Sequence, residues 1–274
     1  MRAAAATILA FLLVGCQPRN SAIGESSDRI VRVLVYNIHA GKDAAGVNNL
    51  AGVAALVRET NADLILLQEV DQGTRRSGNV DQPAVLAGQT GFHVAFGSAL
   101  DYDGGEYGVA ILSRWPIVSD TLFHLPVEPP QERSGGSHEP RGALRAEVAS
   151  PHGRITIFNT HIDASASDFY RLQEGRVVSA LVTAARQRTP LVLLGGDLNS
   201  TPESQVQQEL RATGLRDAHA ECGIGEGLSF PWDVPVKRID YLYLTGRMMC
   251  RRAEILPSRV SDHRPLIVEV VIPE

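Results

Sequence analysis

The amino-acid sequence predicts an α/β fold, and three observations support this prediction. Short apolar runs rich in Val, Ile and Leu recur along the chain between Gly, Pro or polar residues, which is typical of buried strands. Longer stretches place apolar residues at positions i, i+3, i+4 and i+7, as in Leu50, Val53, Ala54 and Val57, which is the pattern of an amphipathic helix. Polar groups suited to metal binding or acid–base chemistry end several of the strands.

The predicted elements follow one another in chain order. They are strands over 31–36 and 63–68, with a helix between them from Leu50, a short helix over 81–91, strands over 92–96, 108–112, 118–125, 143–148 and 155–158, a long helix over 168–188, a strand over 191–194, a helix starting at Thr201-Pro202, and strands over 239–242 and 265–271. Asn48 or Asn49 is expected to cap the first helix, and Gly91 to end the second. The residues expected to face the core from the long helix are Leu172, Val177, Ala180, Leu181 and Ala184.

Six strand ends carry polar groups that a structural role alone does not explain. An Asx turn accounts for one such group, but an ordered series of six indicates a functional site. These groups are Asn37-Ile38-His39, Gln68-Glu69, Asn159-Thr160-His161, Asp197-Leu198-Asn199, Asp240 within the run from Ile239 to Leu242, and Ser261-Asp262-His263.

In their order along the chain, these motifs resemble those of the endonuclease/exonuclease/phosphatase superfamily, which has the deoxyribonuclease I-like fold. The resemblance covers about residues 30 to 272 and implies a catalytic domain over 29–274. It also implies a four-layered α/β sandwich, in which two mixed β-sheets pack face to face with helices on the outer faces. The site would then lie at one edge of the sandwich.

The resemblance implies a metal-dependent hydrolase that cleaves a phosphodiester or phosphomonoester bond. Carboxylate and amide oxygens are hard ligands, so one or two Mg²⁺ or Mn²⁺ ions are expected rather than zinc. The implied roles are metal ligation by Asn37, Glu69 and Asp262, proton abstraction from water by His263, orientation of that histidine by Asp240, positioning of the water by Asp197, and phosphate or transition-state contacts from Asn199 and His161.

Four further residues have both a functional and a structural interpretation. Tyr107 either contacts the substrate or is a packed aromatic, and Arg141 either holds a phosphate or forms a surface ion pair. His39 either lines the site or caps a loop. Asp163 either faces the site or lies in an exposed turn, and the turn is the favoured expectation.

The first 28 residues predict export and lipid anchoring. Arg2 precedes an apolar segment over 3–14 that is shorter than the about 20 residues needed to span a bilayer. The sequence Leu-Val-Gly-Cys resembles a bacterial lipobox, which would make residues 1–15 a signal peptide and Cys16 the lipidated first residue, with 16–28 as a flexible tether. The alternative is an ordinary signal peptide. The expected location is the bacterial cell envelope, facing away from the cytoplasm.

The charge of the chain indicates which substrates and partners to expect. The net charge of −5 gives no basic footprint for nonspecific nucleic-acid binding, so a small phosphodiester, a phospholipid headgroup or a sugar phosphate is favoured as substrate. Basic residues concentrated late in the chain, Lys237 among them, form either a local patch or a solvated surface. A secreted nuclease is the alternative function, and a non-catalytic surface lipoprotein is the alternative from another class. A monomer is expected.

Cys222 and Cys250 are the cysteines outside the signal region. An oxidising compartment would permit a disulfide between them, and two buried free thiols are the other possibility.

Overall fold

The computed structural model describes residues 29–127 and 139–274. Cys16, the signal peptide and the tether therefore lie outside the described residues. The strands are β1 (Ile30–Asn37), β2 (Leu64–Gln72), β3 (His93–Tyr102), β4 (Gly105–Ser113), β5 (Ile117–His124), β6 (Gly142–Ser150), β7 (Gly153–His161), β8 (Val192–Asp197), β9 (Arg216–Asp217), β10 (Gly223–Ile224), β11 (Asp240–Leu244), β12 (Met249–Ile255) and β13 (Leu266–Val271). The helices are α1 (Leu50–Glu59), α2 (Gln82–Thr90), α3 (Phe169–Arg186), α4 (Gln205–Ala212) and α5 (Ala218–Cys222).

The strands form two mixed sheets that pack face to face. One sheet has the order β10-β12-β13-β1-β2-β4-β3, and the other has the order β5-β6-β7-β8-β11-β9. In β1, Val31, Val33 and Val35 point into the core between the sheets, whereas Leu34 and Tyr36 point to the opposite face. Because the central strands are buried on both faces over most of their length, they appear in the sequence as mainly apolar runs.

Helices cover the outer face of each sheet. Val53 and Val57 of α1 and Leu86 of α2 pack on the first sheet, while Val178 of α3 and Val206 of α4 pack on the second. The layers are therefore helix, sheet, sheet and helix, which confirms the predicted four-layered sandwich. No helix in 29–127 or 139–274 has the length and apolar character needed to cross a membrane.

The strand register brings the polar strand ends together at one edge. β1 and β2 are parallel and pair Asn37 with Gln68. β7 and β8 are also parallel and pair His161 with Asp197, while the antiparallel strand β11 pairs Asp240 with the same Asp197. This edge is where the site lies.

Several helix boundaries were predicted correctly, and one was wrong. Asn49 caps α1 by accepting a hydrogen bond from the Gly52 N–H, and Gly91 ends α2 in a left-handed conformation. The helix expected at Thr201-Pro202 instead begins at Gln205, because the side chain of Ser204 provides the cap.

The inward face of α3 also differs from the prediction. The buried residues include Tyr170, Glu174, Gly175, Val178 and Val182. The expected Leu172, Val177 and Leu181 are only partly buried, and Ala180 and Ala184 are exposed. This face could not be predicted from the pattern of apolar residues, because it carries a buried glutamate.

Two connections are now defined. β3 and β4 form a tight hairpin turning at Asp103-Gly104, so the loop expected over 101–107 is mostly strand. Cys222 and Cys250 are joined by a disulfide, which links α5 to β12 and decides between the two alternatives left open by the sequence.

Candidate active site

A histidine and an aspartate form a buried hydrogen-bonded pair at the edge of the sandwich. His263 lies in the loop before β13, and its Nδ1 is 2.9 Å from Oδ2 of Asp240, the first residue of β11. The two side chains are almost fully buried. The Ser261 hydroxyl accepts a hydrogen bond from the His263 backbone N–H, which fixes the loop. A carboxylate at Nδ1 orients the ring so that Nε2 is available for proton transfer.

Asp197, the last residue of β8, lies between two imidazole rings. Its Oδ2 is 3.6 Å from Nε2 of His263 and 3.6 Å from Nε2 of His161. Gly196 allows β7 and β8 to approach here, because a Cβ at this position would overlap a backbone carbonyl oxygen of β7. The register and this close approach place the carboxylate at the centre of the site.

The ionisable groups in this cluster perturb one another. Burial raises the pKa of Asp197 to about 7, and the Asp240 carboxylate adds to the increase. Burial disfavours the charged form of His263, but Asp240 and Asp197 outweigh it and raise the pKa of His263 to about 10. In the free protein, His263 therefore holds its proton more tightly than Asp197.

Glu69 reaches the site through an irregularity in β2. Its φ angle is 55°, and the register between β2 and β4 shifts between Leu67 and Val70. Positive φ is uncommon for a non-glycine residue, and strand bulges of this kind re-aim side chains near functional sites. Here the bulge turns the Glu69 carboxylate into the cleft.

Asn37 connects Glu69 to Asp197. Its amide nitrogen donates to Oε1 of Glu69 at 2.9 Å and to Oδ2 of Asp197 at 3.1 Å. Its Oδ1 accepts from the His39 backbone N–H at 3.0 Å. The Asn37 side chain thus organises the two carboxylates, and its oxygen keeps one lone pair for a ligand role.

The residues on this side fit a hard divalent cation. Glu69 and Asp262 both line the cleft, and in the described ranges neither forms an ion pair with an arginine or lysine. Two carboxylates and an amide oxygen make an all-oxygen donor set of the kind that Mg²⁺ or Mn²⁺ prefers. Asp197, Asp240 and His263 also form a potential metal-binding group. Since the last two already pair with each other, we assign that group to proton handling.

His39 lies beside the expected metal ligand Asp262. Its Nδ1 is 3.9 Å from Oδ1 of Asp262, and its ring is partly exposed in a short 3₁₀ turn. It does not line the cleft. His39 therefore lies next to the ligand set, and its expected substrate contact stays a prediction.

Asn199 follows Asp197 in a left-handed conformation, with φ of 43°. Its backbone N–H donates to Oδ1 of Asp197, and its amide donates to the Ile162 carbonyl oxygen. One amide hydrogen is left for a phosphate oxygen. Asn199 lines the cleft, as its predicted role requires.

Two motif residues have a structural function behind the site. Gln68 donates to Oδ1 of Asn159 at 2.6 Å, and the Asn159 amide donates to the carbonyl oxygens of Leu67 and Ala110. These bonds join the two sheets where they would otherwise bury unpaired polar groups. They therefore connect β7 to β2 and β4 behind the site.

Arg141 and His161 are in contact beneath the cleft. Nη1 of Arg141 is 2.9 Å from Nδ1 of His161 and 2.7 Å from Oε1 of Glu139. Arg141 is only 3% exposed, so a surface ion pair was the wrong interpretation. Its phosphate contact stays a prediction.

Tyr107 and Asp163 are both buried. Tyr107 packs beneath the guanidinium of Arg76, 5.1 Å from the ring centroid, and also lines the cleft. Its substrate contact stays a prediction. Asp163 is fully buried, so the expected exposed turn is wrong: its carboxylate accepts from the Ser165 N–H and its backbone N–H donates to Glu174.

A cleft of about 740 Å³ opens above these residues. Sequence reasoning missed several of its lining residues because they belong to none of the six motifs: Arg76, Ser165, Asp168, Arg171, Phe230 and Lys237. The Phe230 ring lies 4.8 Å from the His263 ring, centroid to centroid. Of the basic residues late in the chain, Arg238 is buried against Asp217, whereas Lys237 lines the cleft.

Comparison with known proteins gives matches over most of the chain. The model of the Endonuclease/Exonuclease/phosphatase family matches residues 34–263. The chain is 32% identical over 117 residues to the inositol phosphosphingolipids phospholipase C of Schizosaccharomyces pombe, a match covering 39% of this chain and 28% of that protein. It is 24% identical over 251 residues to the uncharacterized protein YbhP of Escherichia coli K12, covering 87% of this chain and 95% of YbhP.

A solved structure shares the fold. The mannosyl-6-phosphatase Bt3783 of Bacteroides thetaiotaomicron superposes with a TM-score of 0.73 at 20% identity, covering 88% of this chain and 99% of that one. At this identity the likeness bears on the fold alone.

Proposed function

Since the chain belongs to the endonuclease/exonuclease/phosphatase family, we propose that it is a divalent-metal-dependent phosphoesterase. The observation that carries the proposal is the convergence of two kinds of group on one cleft. His263, Asp240 and Asp197 supply a buried set for proton transfer, and Glu69 and Asp262 supply carboxylate oxygens for a cation beside it. A binding module needs neither set, and still less both together.

Phosphoester hydrolysis requires a nucleophilic water and compensation of the phosphate charge. A cation held by Glu69, Asp262 and the Asn37 oxygen would compensate the phosphate charge. It would also lower the pKa of His263, because a nearby positive charge disfavours the imidazolium. The chain's own residues supply the rest of the chemistry.

The water would bind between His263 and Asp197. Nε2 of His263 and Oδ2 of Asp197 are 3.6 Å apart, and both residues line the cleft. His263 takes the proton at Nε2, Asp240 stabilises the resulting imidazolium through Nδ1, and Asp197 orients the water. Asn199 and His161 donate hydrogen bonds to phosphate oxygens from the other side of Asp197.

We propose a small phosphoester as the substrate. The catalytic groups line a cleft of about 740 Å³, and the net charge of −5 offers no extended basic footprint for duplex DNA. The fission-yeast relative is named for a phosphosphingolipid substrate and the Bacteroides structure for a sugar phosphate. Both names are compatible with a phosphorylated small headgroup or sugar.

We further propose that the protein is exported as a monomer and anchored through a lipid on Cys16. The support is the apolar segment ending in Leu-Val-Gly-Cys near the start of the chain. Such an anchor would place the cleft close to a membrane.

A substrate panel tests the proposed function. Chromogenic phosphodiesters and phosphomonoesters, a phosphosphingolipid, a sugar phosphate and oligonucleotides are each incubated with Mg²⁺, with Mn²⁺ or with excess EDTA. We expect turnover of a small phosphoester that stops with EDTA and in Asp197→Asn, while the exposed-carboxylate control Asp120→Asn retains it. Preference for oligonucleotides would make the protein a nuclease, and no turnover in the whole panel would favour a binding protein.

A further inference from the structure

Arg141 is an arginine buried at the active-site cleft with its charge directed at a histidine. Only 3% of it is exposed, and it directly precedes β6. Its backbone is held there, because its carbonyl oxygen accepts from the Leu125 N–H at 2.8 Å and the Thr160 hydroxyl donates to the next carbonyl along, that of Gly142. Its position relative to β7, and therefore to His161, is fixed.

The contact between Arg141 and His161 determines where the imidazole carries its hydrogen. Nη1 of a guanidinium carries two hydrogens and has no lone pair to offer, since arginine stays protonated in proteins. One hydrogen points to Glu139, 2.7 Å away. The other points to Nδ1 of His161 at 2.9 Å, so Nδ1 must be the acceptor.

A histidine that accepts at Nδ1 donates at Nε2. That atom is 3.6 Å from Oδ2 of Asp197, on the side that opens to the cleft. The groups facing His161 are Arg141 and Glu139 before β6, Asp197 on β8, and His263 before β13. Burial, the Arg141 guanidinium and His263 hold the pKa of His161 well below its usual range, in keeping with a neutral ring.

We propose that Arg141 is a positioning residue, which holds His161 as a neutral donor with its hydrogen on Nε2. This N–H points to the place where a phosphate oxygen binds. The phosphate contact rests on the proposed function. A neutral imidazole donates to a developing negative charge without first giving up a proton, whereas a ring with its hydrogen on Nδ1 would present a lone pair to the phosphate. Arg141 thus acts on the phosphate through His161.

The first test needs no substrate. In the purified full-length protein with ¹⁵N-labelled histidine and excess EDTA, the ¹⁵N shifts and two-bond ¹H couplings distinguish the two neutral forms and the imidazolium. Loss of one signal set in His161→Gln assigns His161 among the eight histidines. We expect the neutral form with hydrogen on Nε2 from pH 6 to 8. The form with hydrogen on Nδ1, or an imidazolium in this range, would overturn the proposal.

The second test removes the donor. In Arg141→Met, Nδ1 has no cation beside it while Glu139 and Asp197 remain, so we expect His161 to take up a proton between pH 6 and 8. With a chromogenic phosphodiester, kcat should fall by about 10- to 100-fold with little change in KM. Arg141→Lys keeps a cationic donor and the partner of Glu139, so it should fold like the wild type and recover part of the kcat.

Arg145→Met is the matched control. Arg145 lies four residues further along, in β6, but contacts Thr121 and the Phe123 ring, so its loss should change neither the His161 spectrum nor kcat. If Arg141→Met lowers kcat but leaves His161 neutral, the positioning role is wrong. If the spectrum changes but kcat does not, the positioning is right and the proposed use of His161 in phosphoester hydrolysis is wrong.

Discussion

The buried carboxyl group of Glu174 should make the stability of the protein fall as pH rises. Glu174 lies on the inner face of α3 and is fully buried. Its Oε2 accepts from the Asp163 N–H at 2.7 Å, while its Oε1 has no hydrogen-bond partner in the part of the chain that the structure describes. Burial raises the pKa of Glu174 to about 8, although that hydrogen bond and the nearby Arg141 and Arg171 lower it.

The raised pKa gives the sign and the size of the effect. Between pH 4.5 and 8 the folded protein holds a proton on Glu174 that the unfolded chain releases, so the free energy of unfolding decreases as pH rises through this window. At about 1.4 kcal/mol per pKa unit, the whole shift corresponds to ~5 kcal/mol. Of this, ~3 kcal/mol falls between pH 5 and pH 8.

Glu174→Gln tests this reasoning. Glutamine keeps the shape and an oxygen for the Asp163 N–H, but it cannot ionise. Urea unfolding at pH 5, 6, 7 and 8 should show the variant gaining ~3 kcal/mol relative to the wild type from the lowest pH to the highest. Glu209→Gln is the control, because a hydrogen bond from Arg176 lowers the pKa of the partly exposed Glu209. Parallel stability curves for wild type and Glu174→Gln would refute the assigned ionisation.

Two further predictions concern the metal and the anchor. Glu69→Ala should bind Mn²⁺ at least about 10-fold more weakly by calorimetry and lose most turnover, because the cation loses a carboxylate ligand. Asp120→Ala is the control. Undiminished wild-type turnover in excess EDTA would contradict the metal mechanism. Cys16→Ser should release the protein from membranes in its native host, and an intact protein that is already soluble would rule the anchor out; a version starting near Ser27 should keep its turnover.

The sequence was sufficient for the central strands and for the motif residues, but β9, β10 and β12 were not predicted. Central strands such as β1 and β8 are buried on both faces over most of their length, so they stand out as mainly apolar runs, with Arg32 the exception inside β1. The meeting of Asp197, Asp240 and His263 could be inferred only through the family resemblance. Their proximity follows from the register between β8 and β11 and from the loop before β13, and neither is encoded in local periodicity.

Other features depend on tertiary structure and could not be predicted. The bulge that turns Glu69 into the cleft has no glycine to mark it, because the positive φ falls on the glutamate itself. The buried face of α3 carries Glu174, so a reading based on apolar residues favoured a neighbouring face. The place of Arg141 under His161 depends on the pairing of β6 with β7. Its sequence neighbours, Pro140 and Gly142, indicate only a loop that enters a strand.

In the proposed mechanism, His263 and Asp240 act as one proton-transfer unit. Their 2.9 Å contact is buried, so removing either residue disables the same step. The direct measurement is kcat/KM on a chromogenic phosphodiester for His263→Ala, Asp240→Asn and the double variant, with melting temperatures to confirm folding.

We expect each single variant to lose roughly 10²- to 10⁴-fold, and the double variant to lose no more than the worse single variant. Losses that multiply in the double variant would show that the two residues act independently. Activity close to the wild type in His263→Ala would contradict a proton-transfer role for His263, and would leave Asp197 as the group that takes the proton.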